Sequence, residues 1–157
     1  MEVSGDHKFE APRTAVWAAL LYPAALKASM PGCEKFEEVG TNSYDLTIRI
    51  GIAAIKGTYT GNVQVVEPVE NESYRLVVSG TGKPGRVQGD AKLMLSDEGE
   101  GTRVTYTGEV KAQGAISRLG SRLLGGAARL MIGQFMKAME EQVARREEAQ
   151  DAKEKGA

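Results

Sequence analysis

Hydrophobic and polar residues alternate along the chain between residues 33 and 111. In the clearest example, Tyr44, Leu46, Ile48 and Ile50 alternate with polar side chains, and turn residues separate this segment from its neighbours. Alternation places apolar side chains on one face of a strand and polar side chains on the other, which is typical of an antiparallel sheet with one buried face. This part of the sequence therefore predicts a meander of antiparallel strands.

Helical spacing replaces the alternation on both sides of the meander. After a first strand over residues 3–9, Pro12 suits the first turn of a short helix, and a second short helix over residues 24–29 ends before Pro31. Residues 114–150 predict one long amphipathic helix. A curved sheet that ends in such a helix is expected to wrap around it and leave an apolar cavity between them, which is an α+β helix-grip fold.

The apolar positions of the long helix form two stripes, which differ by a rotation of roughly 130° at about 100° per residue. Either the helix kinks at Gly125 and Gly126, or its halves face different surroundings; we expect the first half to cover the cavity and the second to pack on the sheet. Glycines in this segment favour either a hinged lid or close packing against a strand. The stripes are Ile116, Leu119, Leu123, Ala127, Leu130 and Met131, then Ile132, Phe135, Met136, Met139 and Val143.

Length and charge narrow the classes of protein that fit. The 157 residues suit one domain over residues 1–147, followed at 148–157 by a charged tail that is frayed or disordered. A net charge of −1 argues against nucleic-acid binding driven by bulk charge. No apolar segment is long enough to span a membrane, and the first residues do not resemble a signal peptide, so we expect a cytoplasmic protein with at most a peripheral contact at the inner face of the membrane.

Residues that carry out catalysis or bind metals are sparse. One histidine (His7) and one cysteine (Cys33) do not make a conventional nucleophile centre or a metal-ligand cluster. The glycine motif at residues 80–85 is interrupted by Pro84 and precedes a strand, so it lacks the helix that a dinucleotide site needs. We therefore expect no enzyme activity and no cofactor, apart from a bound quinone or lipid.

The cavity is the most promising site, because a carrier needs only a shaped apolar space with a few polar groups. Tyr59 and Gln134 are candidates to donate a hydrogen bond to a carbonyl group of the ligand. The predicted ligand-binding residues are Met30, Ile48, Ile50, Tyr59, Val63, Leu76, Leu123, Ala127, Leu130, Met131, Gln134 and Phe135.

A second surface is a candidate for contact with a membrane or a partner protein. Ile52 and Ile55 lie in an apolar connection between two strands, and they either dip into a membrane or fold back over the cavity. Arg118, Arg122 and Arg129 share one side of the long helix. They form either a solvated face or a basic stripe for an anionic membrane or an acidic partner.

Several segments, in this order and spacing, resemble the CoxG family of carbon monoxide dehydrogenase subunits over roughly residues 1–145. The resemblance implies a START-like (SRPBCC) helix-grip fold with seven antiparallel strands, and it brings no catalytic motif. The segments are Ala11-Pro12-Arg13-x-x-Val16-Trp17, Met30-Pro31-Gly32-Cys33-Glu34, Ile48-Arg49-Ile50-Gly51, Lys56-Gly57-Thr58-Tyr59-Thr60-Gly61, Gly80-x-Gly82-Lys83-x-Gly85, Gly89-Asp90-Ala91, Gly101-Thr102-Arg103-Val104-Thr105-Tyr106 and Leu119-Gly120-Ser121-Arg122-Leu123-Leu124.

The resemblance also implies a partner. Members of this family accompany molybdenum-containing carbon monoxide dehydrogenases or related hydroxylases and link them to the membrane. Our leading hypothesis is a non-catalytic carrier for a hydrophobic small molecule, such as a quinone or another lipid, that serves such an enzyme. The alternative is a docking or assembly factor that recruits the enzyme to the membrane without carrying a ligand, and an enzyme is the third option.

Overall fold

The structure, a computed structural model, describes residues 1–155 as a curved antiparallel sheet around one long helix. The strands are β1 (Glu2–Phe9), β2 (Cys33–Gly40), β3 (Ser43–Ile50), β4 (Gly57–Val69), β5 (Ser73–Gly82), β6 (Gly85–Glu98) and β7 (Gly101–Gln113). The helices are α1 (Arg13–Leu20), α2 (Pro23–Ser29) and α3 (Gly120–Lys155), and short 3-10 turns lie at Ala53–Ile55 and Ala115–Leu119.

The sheet has the strand order β1-β7-β6-β5-β4-β3-β2, and every neighbouring pair is antiparallel. Helices α1 and α2 connect the two edge strands and pack against α3. The deepest side chains, Phe9, Val16, Leu20, Val104 and Met139, form the core where these helices meet the sheet. The helix-grip fold predicted from alternation and helical spacing is confirmed.

The long helix begins later than its sequence pattern predicts. Gly114 and Gly120 have φ angles of 85° and 81°, in the left-handed region that glycine tolerates. The chain between them forms the 3-10 turn Ala115–Leu119, and α3 starts only at Gly120. Helix α3 continues without a break through Gly125 and Gly126.

The charged tail is helical as far as the structure describes it. Helix α3 continues through residues 148–155, where we expected fraying or disorder, and residues 156–157 lie outside the described part.

A cation–π contact lies just before the tail, where the guanidinium of Arg146 lies 4.3 Å from the centre of the Tyr22 ring. This cation–π contact joins the C-terminal half of α3 to the corner between α1 and α2.

A row of glycines crosses the inner face of the sheet. Gly5, Gly108, Gly89, Gly80 and Gly61 occupy inward positions on β1, β7, β6, β5 and β4. Gly61 pairs directly with Gly80, and each of the other neighbours in the row is offset by two residues along its strand. Because glycine has no side chain, it permits sharp bending and close approach of neighbouring chains. We call these five residues the glycine row; it lets the sheet curve around α3.

Candidate functional site

An apolar cavity of about 370 Å³ lies between the inner face of the sheet and the first half of α3. This volume is near the lower end of the range of about 300–1,000 Å³ that is usual for small-molecule sites. Its wall residues are Leu26, Met30, Pro31, Leu46, Ile48, Ile50, Ile55, Tyr59, Thr60, Gly61, Val63, Val65, Tyr74, Leu76, Val78, Ser79, Gly80, Val87, Ala91, Leu93, Tyr106, Val110, Ala112, Ile116, Leu124, Ala127, Ala128, Met131, Ile132, Phe135 and Met136.

Local geometry explains which side chains reach this cavity. On β3 the alternating residues Leu46, Ile48 and Ile50 point inward, and on β4 Tyr59 and Val63 face them. Successive side chains of a strand point to opposite faces, so the polar residues between them face solvent. On α3 the wall side chains recur every three or four residues, which is the spacing of one helical face.

The cavity contains few polar groups. Tyr59, Tyr74 and Tyr106 line it, and burial raises the pKa of each phenol, so all three are neutral at physiological pH. The described wall residues include no Asp, Glu, Lys, Arg or His, and neither His7 nor Cys33 is among them. Within residues 1–155 no group of three or more His, Cys, Asp or Glu side chains is placed to hold a metal ion. The cavity is therefore suited to an uncharged, largely hydrocarbon ligand.

Three connections close one end of the cavity, and we call residues 51–56, 83–84 and 114–119 the cap. Ile55 and Ile116 are only 7% and 3% exposed, and they pack together with Tyr59 and Ala127. The Tyr59 hydroxyl donates a hydrogen bond of 2.7 Å to the Ile55 carbonyl, and the Ile116 amide donates one of 2.6 Å to the Pro84 carbonyl. Two hydrogen bonds thus hold the cap together.

Loss of the Tyr59 hydroxyl should loosen this cap. In Tyr59→Phe the Ile55 carbonyl keeps its buried position without its donor, which is expected to lower the free energy of unfolding by about 1–2 kcal/mol. Urea titration measures this change, and hydrogen exchange of the Ile55 and Ile116 amides should become faster than exchange in β6. Unchanged exchange in the cap would show that the hydrogen bond does not hold it.

Most predicted ligand-binding residues lie on the cavity wall, although their role in binding stays a prediction. The wall contains Met30, Ile48, Ile50, Tyr59, Val63, Leu76, Ala127, Met131 and Phe135. Leu123 and Leu130 are not wall residues and are 56% and 50% exposed, and Gln134 is exposed as well. The inward face of α3 instead follows Leu124, Ala127, Ala128, Met131 and Phe135, because the helix starts at Gly120 and its phase differs from that of the preceding turn.

The structure also bears on the predicted hydrogen-bond donors to a ligand and on the positions of Ile52 and Ile55. The hydroxyl hydrogen of Tyr59 is used within the protein, and exposed Gln134 points away from the cavity wall, so neither donates to a ligand in this structure. Ile55 is buried and Ile52 is half-buried, and both belong to the cap, so in this structure they fold back over the cavity. Arg118, Arg122 and Arg129 are all exposed. Only Arg122 and Arg129 lie on α3, whereas Arg118 belongs to the 3-10 turn before it, so the prediction that all three share one side of the long helix is wrong for Arg118.

Sequence reasoning missed part of the wall. Alternation within β5, β6 and β7 already points to Val78, Val87, Tyr106 and Val110, although Leu76 is the one residue of these three strands in the predicted ligand-binding set. Leu124 and Ala128 were missed because Leu123 fits the spacing of the preceding apolar residues better.

A second, larger groove of about 710 Å³ lies on the outer face of the sheet, is more polar, and includes charged Arg86, Asp90 and Lys111. It is therefore a poorer site for an apolar ligand.

The family model that describes CoxG, a subunit of carbon monoxide dehydrogenase, matches residues 5–144, which is most of the chain. The chain belongs to the CoxG family. Its membership indicates an accessory subunit of carbon monoxide dehydrogenase, which is consistent with a role outside catalysis. No curated protein matches the chain.

Solved structures share the START-like (SRPBCC) fold of this chain. A conserved protein from Geobacillus kaustophilus is 32% identical with a TM-score of 0.89, and the match covers 92% of this chain and 96% of that one. The protein TTHA0849 from Thermus thermophilus is 19% identical with a TM-score of 0.71, over 93% and 99% of the two chains. Ara h 8.0201 is 17% identical with a TM-score of 0.69, over 92% and 98%. The last two show the fold alone.

None of the helices within residues 1–155 is both long enough and apolar enough to cross a lipid bilayer.

Proposed function

We propose that this CoxG-family chain is a non-catalytic carrier for a hydrophobic small molecule, a quinone or another lipid. In this proposal it serves a molybdenum-containing carbon monoxide dehydrogenase-type enzyme and links that enzyme to the membrane. The observation that carries the proposal is the cavity of about 370 Å³, whose walls are apolar on the sheet side and on the α3 side. An apolar molecule leaves water when it enters such a space, at roughly 25 cal/mol per Å² of surface buried.

The polar groups of the cavity suit a carbonyl-bearing head group. Within residues 1–155 the hydroxyls of Tyr74 and Tyr106 make no hydrogen bond to another protein group, although both side chains line the cavity. A neutral phenol donates one hydrogen bond, and a quinone carbonyl accepts one. These two tyrosines, rather than Tyr59 or Gln134, are therefore our candidates to orient the ligand.

The volume also limits how much of a ligand is enclosed. About 370 Å³ is small for a binding site, so it suits a ring with a short part of a hydrocarbon chain. A long isoprenoid chain would extend beyond the cavity. The cap, with left-handed Gly114 and Gly120 at the ends of its 3-10 turn, is the segment that we propose as the lid.

Native mass spectrometry of the purified protein, followed by organic extraction, tests the carrier proposal directly. The expected result is a bound isoprenoid or acyl species at about one molecule per chain. An empty protein that also fails to bind added quinones and lipids would contradict the proposal. That outcome would leave the docking or assembly role, which the exposed Arg118, Arg122 and Arg129 favour.

A matched pair of variants on α3 tests the cavity itself. Ala128 lines the cavity, and Ala144 on the same helix is exposed, so Ala128→Phe fills the space while Ala144→Phe does not. We expect Ala128→Phe to weaken binding of a short-chain quinone at least tenfold, because the added ring of the phenylalanine occupies the ligand volume.

Trp17 gives a direct signal for this measurement. It is the only tryptophan in the chain, and its ring centre lies 5.7 Å from that of Tyr74, which lines the cavity. A quinone bound in the cavity should quench its fluorescence. Equal affinities for the two variants, with both correctly folded by circular dichroism, would show that the ligand binds elsewhere.

A further inference from the structure

The groove of about 710 Å³ on the outer face of the sheet has a floor of small side chains and sides of longer polar ones. Val77 and Ser79 of β5 form the floor, and both are half-buried although alternation turns them outward. Asn62 and Gln64 of β4 line one side, and polar residues of β6 and β7 line the other. We call this space the outer groove; it lies on the opposite face of the sheet from the apolar cavity.

The acidic side chains of the outer groove are already engaged. Arg75 reaches across β5, with its Nη1 3.1 Å from the carboxylate of Glu67 on β4 and its Nη2 2.9 Å from that of Asp90 on β6. The hydrogen bonds from Arg75 hold the pKa of Asp90 below its ordinary value, so this carboxylate stays ionised. Glu109 lies 3.6 Å from the amino group of Met1. Arg75 therefore closes one end of the groove, and both of its carboxylates have cationic partners.

Two cations of the outer groove have no such partner. Among the residues that the structure describes, no carboxylate lies within ion-pair distance of Arg86 or Lys111, and both side chains are exposed. Gln88 pairs directly with Lys111, so Arg86 is the diagonal neighbour of Lys111 on the same face, at about 7–8 Å. Like charges at this spacing repel each other, and an anion between them would remove the repulsion.

Uncharged polar groups lie beside these cations. The strand register aligns Asn62, Ser79, Gln88 and Lys111 in one row across four strands. The Asn62 amide already donates a hydrogen bond of 2.9 Å to Asp45. The side chains of Ser79 and Gln88 make no hydrogen bond to another protein group within the described part of the chain. A hydroxyl and an amide each donate and accept, which suits the hydroxyl groups of a sugar.

We propose that the outer groove binds a phosphate monoester of a hydrophilic metabolite, of the sugar phosphate class. The phosphate lies between Arg86 and Lys111, and the sugar hydroxyls bind Ser79 and Gln88. A phosphate monoester carries close to two negative charges at pH 7, which match the two unpaired cations, and the planar guanidinium is suited to phosphate oxygens. A groove of about 710 Å³ also has room for the sugar. This site does not depend on the proposed carrier function.

An NMR titration of the ¹⁵N-labelled full chain tests the proposal, with glucose 6-phosphate as the probe in a phosphate-free buffer of low ionic strength. We expect saturable shifts at the amides of Ser79, Gln88 and Lys111, and little change at Ala128 in the apolar cavity. Inorganic phosphate should bind roughly tenfold more weakly, because it makes only the charge-assisted hydrogen bonds. Glucose, which lacks the phosphate, should give no saturable shift over the same range.

A matched pair of double variants tests the two cations. Arg86→Gln, Lys111→Gln should weaken binding of glucose 6-phosphate at least tenfold, because the charge-assisted hydrogen bonds to the phosphate are lost. Lys35→Gln, Lys92→Gln removes two exposed cations outside the groove and should stay within a factor of about three of wild type. Lys92 is a strict control, since it lies on the same face of β6 two residues beyond Asp90. Circular dichroism checks that each variant is folded.

Val77→Phe tests the groove with every charge in place. The larger ring covers the floor on the outer face, and phenylalanine is well tolerated in strands, so we expect a folded protein. Binding of glucose 6-phosphate should fall at least tenfold. The carrier function is separable by the same measurements: Ala128→Phe should lose quinone binding and keep glucose 6-phosphate, whereas Val77→Phe should do the reverse.

Several results would overturn the proposal. These are no saturable shift with glucose 6-phosphate, equal binding of glucose, or an equal loss in the two double variants. Equal affinity for inorganic phosphate and glucose 6-phosphate would contradict the contacts of Ser79 and Gln88 with the sugar. Vesicles that contain phosphatidic acid should not compete with glucose 6-phosphate; competition would assign the phosphate to a lipid head group and contradict a soluble ligand.

Discussion

Gly61→Ala is expected to lower the free energy of unfolding by about 3 kcal/mol, a large share of the stability of a small domain. A Cβ atom on Gly61 would overlap the carbonyl oxygen of Ser79 and lie 2.8 Å from its carbonyl carbon. Both obstacles are backbone atoms of the neighbouring strand β5, so no side-chain rotation relieves them. Strands β4 and β5 would have to separate where the glycine row bends the sheet.

Gly80→Ala is the matched control in the same row. The nearest atom to an added Cβ there is the Tyr59 Cβ at 3.9 Å, which is an ordinary contact. We expect no loss of stability, or a gain of about 0.4–1 kcal/mol, because alanine restricts the unfolded chain. Urea unfolding of both variants measures the difference. Similar free energies for the two would show that the sheet yields at Gly61 and that its curvature does not depend on that glycine.

Unfolding at alkaline pH is the second large effect that we expect. Burial raises the pKa of Tyr74 most, and it also raises the pKa of Tyr44, Tyr59 and Tyr106 above the ordinary value of about 10. Above that pH the unfolded chain releases protons that the folded chain retains. The stability that is fully present below about pH 10 is then lost as pH rises, by about 1.4 kcal/mol per pH unit for each tyrosine that stays protonated.

Tyr74→Phe isolates the main contributor. Its hydroxyl makes no hydrogen bond within the described residues, so removal should leave stability near pH 8 almost unchanged and flatten the decline between about pH 10 and pH 11. Tyr22, whose ring is 47% exposed and stacks on Arg146, serves as the control in Tyr22→Phe. Urea titrations across this range measure the slope. If the free energy of unfolding declined equally with pH in wild type and in Tyr74→Phe, Tyr74 would not be the main contributor.

The sheet was predictable from the sequence because its signals are local. Alternation along Tyr44, Leu46, Ile48 and Ile50 marks one buried face, and turn residues mark where each strand ends. The helix-grip fold then follows from one physical requirement: the apolar face of the sheet and the apolar face of the last helix must be buried, and each can be buried against the other. The inward positions of β3 and β4 were found in this way.

The phase of α3 was not predictable from spacing alone. Ile116, Leu119 and Leu123 recur at helical intervals, so they indicated that the helix already runs through residue 116. In the structure Gly114 and Gly120 take left-handed conformations, and the turn between them rotates the helix that follows by a fraction of a turn. Only contacts with the sheet show that Leu124 faces inward while Leu123 faces solvent.

The hydrogen bond from the Tyr59 hydroxyl to the Ile55 carbonyl could not be predicted from the sequence for a related reason. A tyrosine on the inner face of a strand is a natural donor to a ligand, and no local pattern shows that the Ile55 carbonyl lies within reach of it. That contact depends on how the connection after β3 folds back over the cavity. Side-chain partners across such connections follow from tertiary packing, which periodicity does not encode.

The glycine row also limits which substitutions can change the shape of the cavity. Two of its members, Gly61 and Gly80, line the cavity, so the capacity of the cavity depends on side chains that the sheet does not have at these positions. Gly61 is closed to change because the backbone of the neighbouring strand is too near, whereas Gly80 has room for an added Cβ atom. A single substitution at the roomy position is therefore expected to reshape the cavity, while a substitution at the crowded position would disturb the curvature of the sheet.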